Sequence, residues 1–378
     1  MTPLRGPGLP LRSHLKKLLT KALPCEGGGA ATMKNKLLAV GKLAIGLGAS
    51  GGLGWVAARG LDWGVVGDSL AGVSFPLILL AVAVFMLASW LRAYRWQILF
   101  VTERISTWRL FLIQNEGIGL NNLLPIRVAS EATQLAVLTM RDGVRGATAL
   151  ATLGMERVID VVASTLILGV AFFLVPEMKN FTLYVWGAAG FTVVALAMVR
   201  FLAWGSDGMA LFRRLPFLAA FAKAVKDLER ERARLTASML ISVLYWLLVG
   251  VTAWIIALAI DLPISPMTAT LVIMGTIFFA TAIPAAPSAI GTFEFAVLYV
   301  LAFFDVEREA GFGFAVITHA VFFLPPTIIA AIFLPREGIL TIGLRRRSAA
   351  RRARAGQSAG ASAPLTAGET GPGQASAG

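Results

Sequence analysis

The sequence predicts an all-α polytopic integral membrane protein, with about six full spans and two re-entrant helical hairpins arranged as an inverted repeat. Composition is the first reason: the 378-residue chain is 57% hydrophobic and 15% charged, whereas soluble domains carry about 25% charged residues. The second reason is that four uncharged runs each reach the roughly 20 apolar residues that cross a bilayer. These runs occupy residues 69–91, 180–199, 235–260 and 310–335. A buried core helix in a soluble protein explains one such run but not four.

The basic residues predict the orientation of the chain. The net charge is +13, and Lys and Arg concentrate in 1–36, 200–238 and 336–378, whereas the short connectors between the apolar runs are mostly acidic. This asymmetry follows the positive-inside rule, so both termini are expected in the cytoplasm. It argues against a nucleic-acid partner. The single Cys25 excludes an intramolecular disulfide, and two His with one Cys give no zinc site.

Three segments are predicted along the chain. Residues 1–36 form a basic N-terminal tail, in which MKNKLLAV at Met33 resembles a natural start, so the true start is expected near Met33. Residues 37–335 form one transmembrane domain, with a basic cytoplasmic loop at 201–234 that includes an amphipathic surface helix. Residues 336–378 form a C-terminal tail that is basic and then low in complexity, which is typical of disorder.

Full spans are expected at six places, namely 37–58, 69–91, 147–175, 180–200, 235–260 and 311–334. The second span is followed by LRAYRWQILF, where Arg92 and Arg95 stand beside Tyr94 and Trp96. Basic and aromatic residues together are typical of a membrane interface. We therefore expect both arginines to anchor the chain at the membrane surface.

The first predicted hairpin covers 108–140 and contains LNNLLPIRVASEATQLAVL. Pro125 breaks the helix, because proline lacks an N–H and clashes with the preceding turn. The neighbouring Asn121 and Asn122 are expected to satisfy the freed backbone groups or to contact a headgroup. Non-helical backbone at membrane depth must be buried in protein or line a wet cavity.

The second predicted hairpin covers 266–304. The run 262–293 has no charge over 32 residues, and a straight helix of that length would measure about 48 Å, against roughly 30 Å of hydrocarbon. It is therefore expected to break at IPAAPSAIG, with Pro284, Pro287 and Gly291 as the breaking residues.

The two hairpins have similar sequences. Each has a proline, small residues, a glutamate and then an apolar helix. Glu131 precedes Glu156 by 25 residues, and Glu294 precedes His319 by 25 residues. Since one hairpin enters from inside and the other from outside, the sequence predicts an inverted repeat with broken helices near the midplane, as in secondary transporters.

Ionisable residues inside a membrane are costly unless paired, and they are candidates for function. Arg127 and Glu131 are spaced to pair on one helix face, as are Arg157 and Asp160. Glu156 lies one turn from Asp160, so a cation such as Arg157 or Arg127 is expected between them. The candidate substrate-binding or translocation residues are Asn121, Asn122, Arg127, Glu131, Glu156, Arg157, Asp160, Glu294 and His319.

Two interpretations of these residues remain open. They form a closed network of ion pairs that locks the broken helices together, or they line a wet groove that binds a zwitterionic or anionic headgroup. Arginine suits phosphate because its fork binds two oxygens. His319 is either a packing residue or part of a proton relay or headgroup site.

The motifs resemble one known family. The chain is similar to the lysylphosphatidylglycerol synthase transmembrane-region family, also called flippase-like domain proteins, through the following segments in order: RAYRWQILF, GIGLNNLLPIRVASEATQLAVL, GATALATLGMERVIDVV and PAAPSAIGTFEFAVL. It departs from the family pattern at three places. Ser130 replaces a glycine, Gln134 stands near the place of a second arginine, and the last span lacks the arginine expected near His319. Fewer fixed positive charges weaken any inference about the substrate.

The resemblance implies a bacterial inner-membrane protein that moves a polar-headed lipid between leaflets, without the soluble synthase domain of bifunctional relatives. The alternatives are a non-transporting partner of a lipid or cell-envelope pathway and, with less support, an intramembrane transferase using Glu131 or Glu294 as general base. The chain has no nucleotide or metal motif, so neither an enzyme nor a cofactor is expected. The expected partners are phosphate-bearing membrane lipids. A second copy of the chain and a lipid-modifying enzyme are further candidate partners.

Overall fold

The structure is a computed structural model that describes residues 29–123, 129–205, 216–282 and 285–337. All regular secondary structure in these residues is helical. The predicted break residues Pro125 and Pro284 and the candidate Arg127 lie outside the described residues.

Twelve α-helices occur in the described residues. In chain order they are α1 Gly29–Ala58, α2 Trp63–Ala71, α3 Phe75–Ile98, α4 Thr107–Leu123, α5 Ala129–Met140, α6 Gly146–Leu174, α7 Thr182–Gly205, α8 Pro216–Arg230, α9 Arg232–Ala259, α10 Pro266–Ala282, α11 Thr292–Leu301 and α12 Arg308–Phe333. Four 3₁₀ turns accompany them, at Pro176–Phe181, Pro287–Ala289, Ala302–Phe304 and Leu334–Glu337. The chain divides into two units after Phe333, and all the helices named α1 to α12 belong to the first unit.

The apolar core lies where α3, α9, α10, α11 and α12 meet. Small residues allow close helix packing: Ala81 and Ala88 of α3 are fully buried, and a side chain at Gly250 of α9 would collide with Thr270 of α10. Small residues at helix contacts are typical of membrane proteins, since they let backbones approach closely.

Four of the predicted spans agree with the helices α6, α7, α9 and α12 to within a few residues. The other two differ. Helix α1 begins at Gly29, before the predicted start at residue 37, and a separate short helix α2 precedes α3. Helix α3 continues to Ile98, one and a half to two turns beyond the predicted end at residue 91. This extension carries Arg92 and Arg95 into the helix bundle.

Within the described residues, six segments are long and apolar enough to cross a membrane. The number agrees with the prediction, but one member differs. Helix α1 contains the shorter apolar stretch Ala44–Ala58, whereas Pro287–Phe304 in the second predicted hairpin qualifies by length and composition.

Two pairs of short helices occupy the regions predicted as hairpins. Helix α4 packs against α5, and α10 packs against α11. These helices contain 17, 12, 17 and 10 residues, so they measure about 26, 18, 26 and 15 Å. Each is shorter than the roughly 30 Å of membrane hydrocarbon.

The break before α11 is fixed by neighbouring helices. Ser50 of α1 accepts the backbone N–H of Ala286 at 2.7 Å and bonds to Thr292 at 2.9 Å. Gly291 has a φ of +84°, in the left-handed region, and any Cβ there would collide with the Ser50 carbonyl. Ser288 donates to the backbone carbonyl of Asn122 at 2.9 Å, which joins this break to the last turn of α4.

Helix α8 is the amphipathic helix expected in the basic loop. Ala222, Val225 and Leu228 are buried on its apolar face, while Lys223 on the opposite face is exposed. The helix packs against α6 and α7. Such a helix fits the membrane–water interface, because its two faces prefer different environments.

Candidate functional site

Arg95 is the centre of a buried ion-pair network between α3 and α6. Its side chain is 0% exposed. Nη2 donates to Glu156 Oε1 at 2.9 Å and to Asp160 Oδ2 at 3.3 Å. Nη1 contacts Asp160 Oδ1 and Ser242 Oγ of α9, and Ser242 donates to the same Asp160 oxygen at 3.1 Å. One guanidinium thus bridges two carboxylates and ties three helices together.

Arg92 gives Glu156 a second cation. Its Nε donates to Glu156 Oε1 at 2.9 Å, and its guanidinium lies 5.7 Å from the ring centre of Tyr245. Arg92 and Arg95 are three residues apart on α3, and Glu156 and Asp160 are four apart on α6, so each pair shares a helix face. The two faces meet inside the bundle.

This network corrects the prediction for Arg92 and Arg95. Both were assigned to the membrane surface, but they are the counterions of Glu156 and Asp160. The physical reason is that α3 does not end at residue 91. The sequence did hold a signal: two carboxylates one turn apart need two cations, and Arg92 and Arg95 have matching spacing.

Arg157 pairs with Glu131 of α5 at 3.0 Å, whereas its spacing predicted a pair with Asp160 on its own helix. Unlike the network around Arg95, this pair is accessible, since the side chains are 47% and 43% exposed. Arg157 also interacts electrostatically with Glu156 and Asp160 on its own helix. We call these six residues, Arg92, Arg95, Glu131, Glu156, Arg157 and Asp160, the charged cluster.

Glu294 and His319 form a second polar pair, between α11 and α12. Glu294 Oε1 lies 2.5 Å from His319 Nδ1, and Oε2 accepts the backbone N–H of Gly291 at 2.6 Å. The imidazole packs against the rings of Phe293 and Phe323, whose centres are 4.9 and 4.2 Å away. Glu294 therefore caps its helix and also bonds to a titratable partner.

Asn122 joins the end of α4 to α12. Its Nδ2 donates to Phe323 O at 3.3 Å and to Thr327 Oγ1 at 3.0 Å. These acceptors flank Pro325 and Pro326, which lie inside α12 and interrupt its hydrogen bonds. Asn122 thus bonds beside the two prolines of another helix. Asn121 is in the same last turn of α4.

The structure brings the nine predicted residues together only in part. Glu131, Glu156, Arg157 and Asp160 share the charged cluster. Glu294 and His319 form their own pair, and Asn122 bonds to α12 and to the turn at Pro287–Ala289.

A set of buried polar residues on α4 was not predicted to belong to the site. Gln114, Asn115 and Glu116 are consecutive and almost fully buried. Asn115 donates to Ser89 of α3 at 3.1 Å and to the Phe111 carbonyl at 2.8 Å. Consecutive polar residues point in different directions around a helix, so α4 is surrounded by protein on several sides. In the described part of the chain, no group of three or more His, Cys, Asp or Glu residues is placed to hold a metal ion.

A family model matches most of the chain. Residues 42–330 match the family model described as lysylphosphatidylglycerol synthase TM region. The match extends from α1 into α12 and includes every residue of the charged cluster. No curated protein matches the chain in sequence.

Proposed function

The chain belongs to the lysylphosphatidylglycerol synthase transmembrane-region family, and we propose that it is a lipid flippase or lipid-linked transporter. It is a multi-pass membrane protein. In the proposed activity it moves a polar-headed, phosphate-bearing lipid between the leaflets of the bacterial cytoplasmic membrane. One observation carries the proposal: a half-exposed Arg157–Glu131 pair lies beside a closed network of buried charges.

The difference in exposure assigns different roles to the two parts of the charged cluster. Arg95 and Glu156 are sealed from solvent and hold α3 to α6. Arg157 and Glu131 remain accessible, so the guanidinium can exchange its carboxylate partner for a lipid phosphate. Arginine is suited to this exchange because carboxylate and phosphate both accept its forked donors.

The positions of the paired residues support an inverted repeat. Glu131 is the third residue of α5, and Glu294 is the third residue of α11. Their partners also correspond, since Arg157 is the twelfth residue of α6 and His319 is the twelfth residue of α12. Each half thus has a short helix whose first-turn carboxylate bonds to a cationic or titratable group on the following long helix.

The short helices support the two re-entrant hairpins. Neither α4 with α5 nor α10 with α11 has two arms long enough to cross the hydrocarbon, and the break before α11 bonds to the last turn of α4 through Ser288. Broken helices that meet inside the membrane are the usual place for a transport site. In this proposal both termini are cytoplasmic.

The test is lipid translocation in proteoliposomes. The purified chain is reconstituted with phospholipids that carry a fluorescent group, and a membrane-impermeant reductant measures how fast they reach the outer leaflet. We expect Arg157→Gln to slow this rate about tenfold or more, because hydrogen bonds to charged groups contribute about 1.5–3 kcal/mol. Translocation no faster than in protein-free vesicles, for anionic and zwitterionic lipids alike, would reject transport.

Arg145→Gln is the matched control for this experiment. Arg145 pairs with Glu103 at 3.1 Å and its side chain is 68% exposed, but the pair lies outside the charged cluster. We expect this variant to translocate lipid at the unmodified rate. An equal loss in Arg145→Gln and Arg157→Gln would show that general surface charge, rather than the Arg157 site, controls the rate.

One observation favours a second candidate function: the network around Arg95 is closed, so these charges cannot contact a lipid headgroup. In this alternative the chain is a non-transporting partner of a lipid or cell-envelope pathway, and it copurifies with a lipid-modifying enzyme without moving lipid. We propose no catalytic activity. Glu131 is bonded to Arg157, and Glu294 is bonded to His319 and to the Gly291 N–H.

A further inference from the structure

A cavity of about 290 Å³ lies among α6, α7, α8 and α9, apart from the charged cluster. Its lining is almost entirely apolar, and it includes Met155, Ile159 and Val162 of α6, Leu196 and Val199 of α7, and Met239 of α9. Methionine side chains adapt to ligands of irregular shape. The lining thus suits a flexible hydrocarbon.

The mouth of this cavity is charged. Arg200 of α7 and Glu229 of α8 both line it, and they pair at 3.0 Å. The Arg200 side chain is 74% exposed, whereas that of Glu229 is only 29% exposed. Because a guanidinium has five donors, Arg200 can keep Glu229 and still bind a second anion.

The cavity and the charged cluster use different faces of α6. Successive residues of a helix are rotated by about 100°. Met155, Ile159 and Val162 recur at spacings of four and three, so they form one stripe that faces α7 and α9. Glu156 and Asp160 lie on another face, toward α3. A ligand in the cavity therefore does not need to disturb the ion pairs.

We propose that this cavity binds one acyl chain of an anionic phospholipid, whose phosphate is held by Arg200. The ligand must be apolar at one end and anionic at the other, because the lining is apolar and the exposed group at the mouth is cationic. The lipid comes from the leaflet next to the basic segment 200–238, where anionic lipids gather near Lys and Arg. This site does not require that the chain moves lipid.

Photolabelling in vesicles tests the site. The full chain is reconstituted in phosphatidylcholine that contains some phosphatidylglycerol with a diazirine in one acyl chain, and the labelled residues are mapped by mass spectrometry. We expect labels at Met155, Val162 and Met239 in excess over Val193 and Val194, which are exposed on α7. Equal labelling of both regions would mean that only the ordinary lipid shell is seen, and the proposal would fail.

Val162→Trp fills the cavity and should reduce its labelling about tenfold or more, which corresponds to about 1.4 kcal/mol of binding. Val194→Trp, an exposed position on the neighbouring helix, is the control and should leave the labelling unchanged. If Val162→Trp does not fold, competition in the unmodified protein decides: unlabelled phosphatidylglycerol should displace the probe. No displacement, or unchanged labelling in a folded Val162→Trp protein, would overturn the site.

Arg200→Gln tests the headgroup contact. We expect the cavity to remain labelled but to lose most of its preference for phosphatidylglycerol over a diazirine-bearing phosphatidylcholine. An unchanged preference would reject Arg200 as the phosphate ligand. A monomer produced from a dimer by Val162→Trp would show instead that a second copy of the chain covers the cavity, which also contradicts the proposal. If the unmodified chain labels at the cavity but does not translocate lipid, that result would count against the proposed function alone.

Discussion

At the scale of single residues, Arg95 bonds to several charged and polar groups at once. It is completely buried, and it bonds to two carboxylates and to Ser242. Burying one charge without a partner is strongly unfavourable, so the network has to be kept or removed as a unit.

Removing Arg95 alone should therefore destabilise the protein. We expect Arg95→Met to lower the free energy of unfolding by about 3–5 kcal/mol, because Glu156 and Asp160 lose a shared buried cation. Thermal unfolding in detergent measures the effect, with Arg145→Gln expected within about 0.5 kcal/mol of the unmodified protein. Restoring much of the lost stability by adding Asp160→Asn would support the network, whereas a stable Arg95→Met protein would refute it.

The contact between Glu294 and His319 predicts that substitutions at the two residues are energetically coupled. Glu294→Gln keeps an oxygen that can accept the Gly291 N–H but removes the charge opposite His319. In a double-mutant cycle with His319→Gln, we expect a coupling energy of about 0.5–3 kcal/mol, since contacting residues are not additive. Additive effects would leave Glu294 with a capping role only. The translocation assay on the same variants shows whether the pair also matters for transport.

The sequence predicted which charged residues belong to the cluster more accurately than it predicted which of them form pairs. Glu131, Glu156, Arg157 and Asp160 stand out because charges are rare in apolar spans. Their pairing was harder to predict, since it depends on which faces of α3 and α6 meet. A single turn of additional helix moved Arg95 from the expected surface into the bundle.

Among the helices, the clearest constraint is the break before α11. Gly291 combines a left-handed backbone with close contact to α1 at Ser50. We expect Gly291→Ala to destabilise the protein by roughly 1–3 kcal/mol, because strain and steric overlap act together. Melting temperature in detergent is the measurement.

For Gly187→Ala we expect no loss of stability, in contrast to Gly291→Ala. Gly187 lies inside α7, and an added Cβ there meets nothing within 4 Å. This change should leave stability unchanged or raise it by about 0.4–1 kcal/mol, because alanine restricts the unfolded chain. A tolerated Gly291→Ala variant would mean that α1 does not constrain the break.

The sequence predicted long helices more accurately than helix breaks. Helices α7, α9 and α12 follow directly from uncharged runs that must be helical in a membrane. The break at Pro287–Gly291 was also anticipated, because proline and glycine interrupt a run that is too long for one span. Helix α2 and the early start of α1 were missed. They are short, or weakly apolar, so periodicity alone does not distinguish them from connectors.

At the scale of the whole molecule, the proposed inverted repeat predicts that two connectors lie on opposite sides of the membrane. After replacing Cys25, single cysteines at Arg141 and Glu307 can be labelled in intact cells with an impermeant thiol reagent. We expect Glu307→Cys to react from outside and Arg141→Cys to react only after the membrane is opened, since the charge distribution predicts that 141–145 is cytoplasmic. Labelling of both positions from the same side would contradict the inverted repeat.

The charged cluster also has an electrical property. Its three arginines balance Glu131, Glu156 and Asp160, so the six groups together carry no net charge. A rearrangement of these helices then moves little charge of its own, so in the proposed transport the accompanying current would be that of the lipid. A zwitterionic headgroup would cross without sensing the membrane voltage. An anionic one leaving a negative interior would gain about 2.3 kcal/mol per 100 mV, which makes the voltage itself a source of directionality.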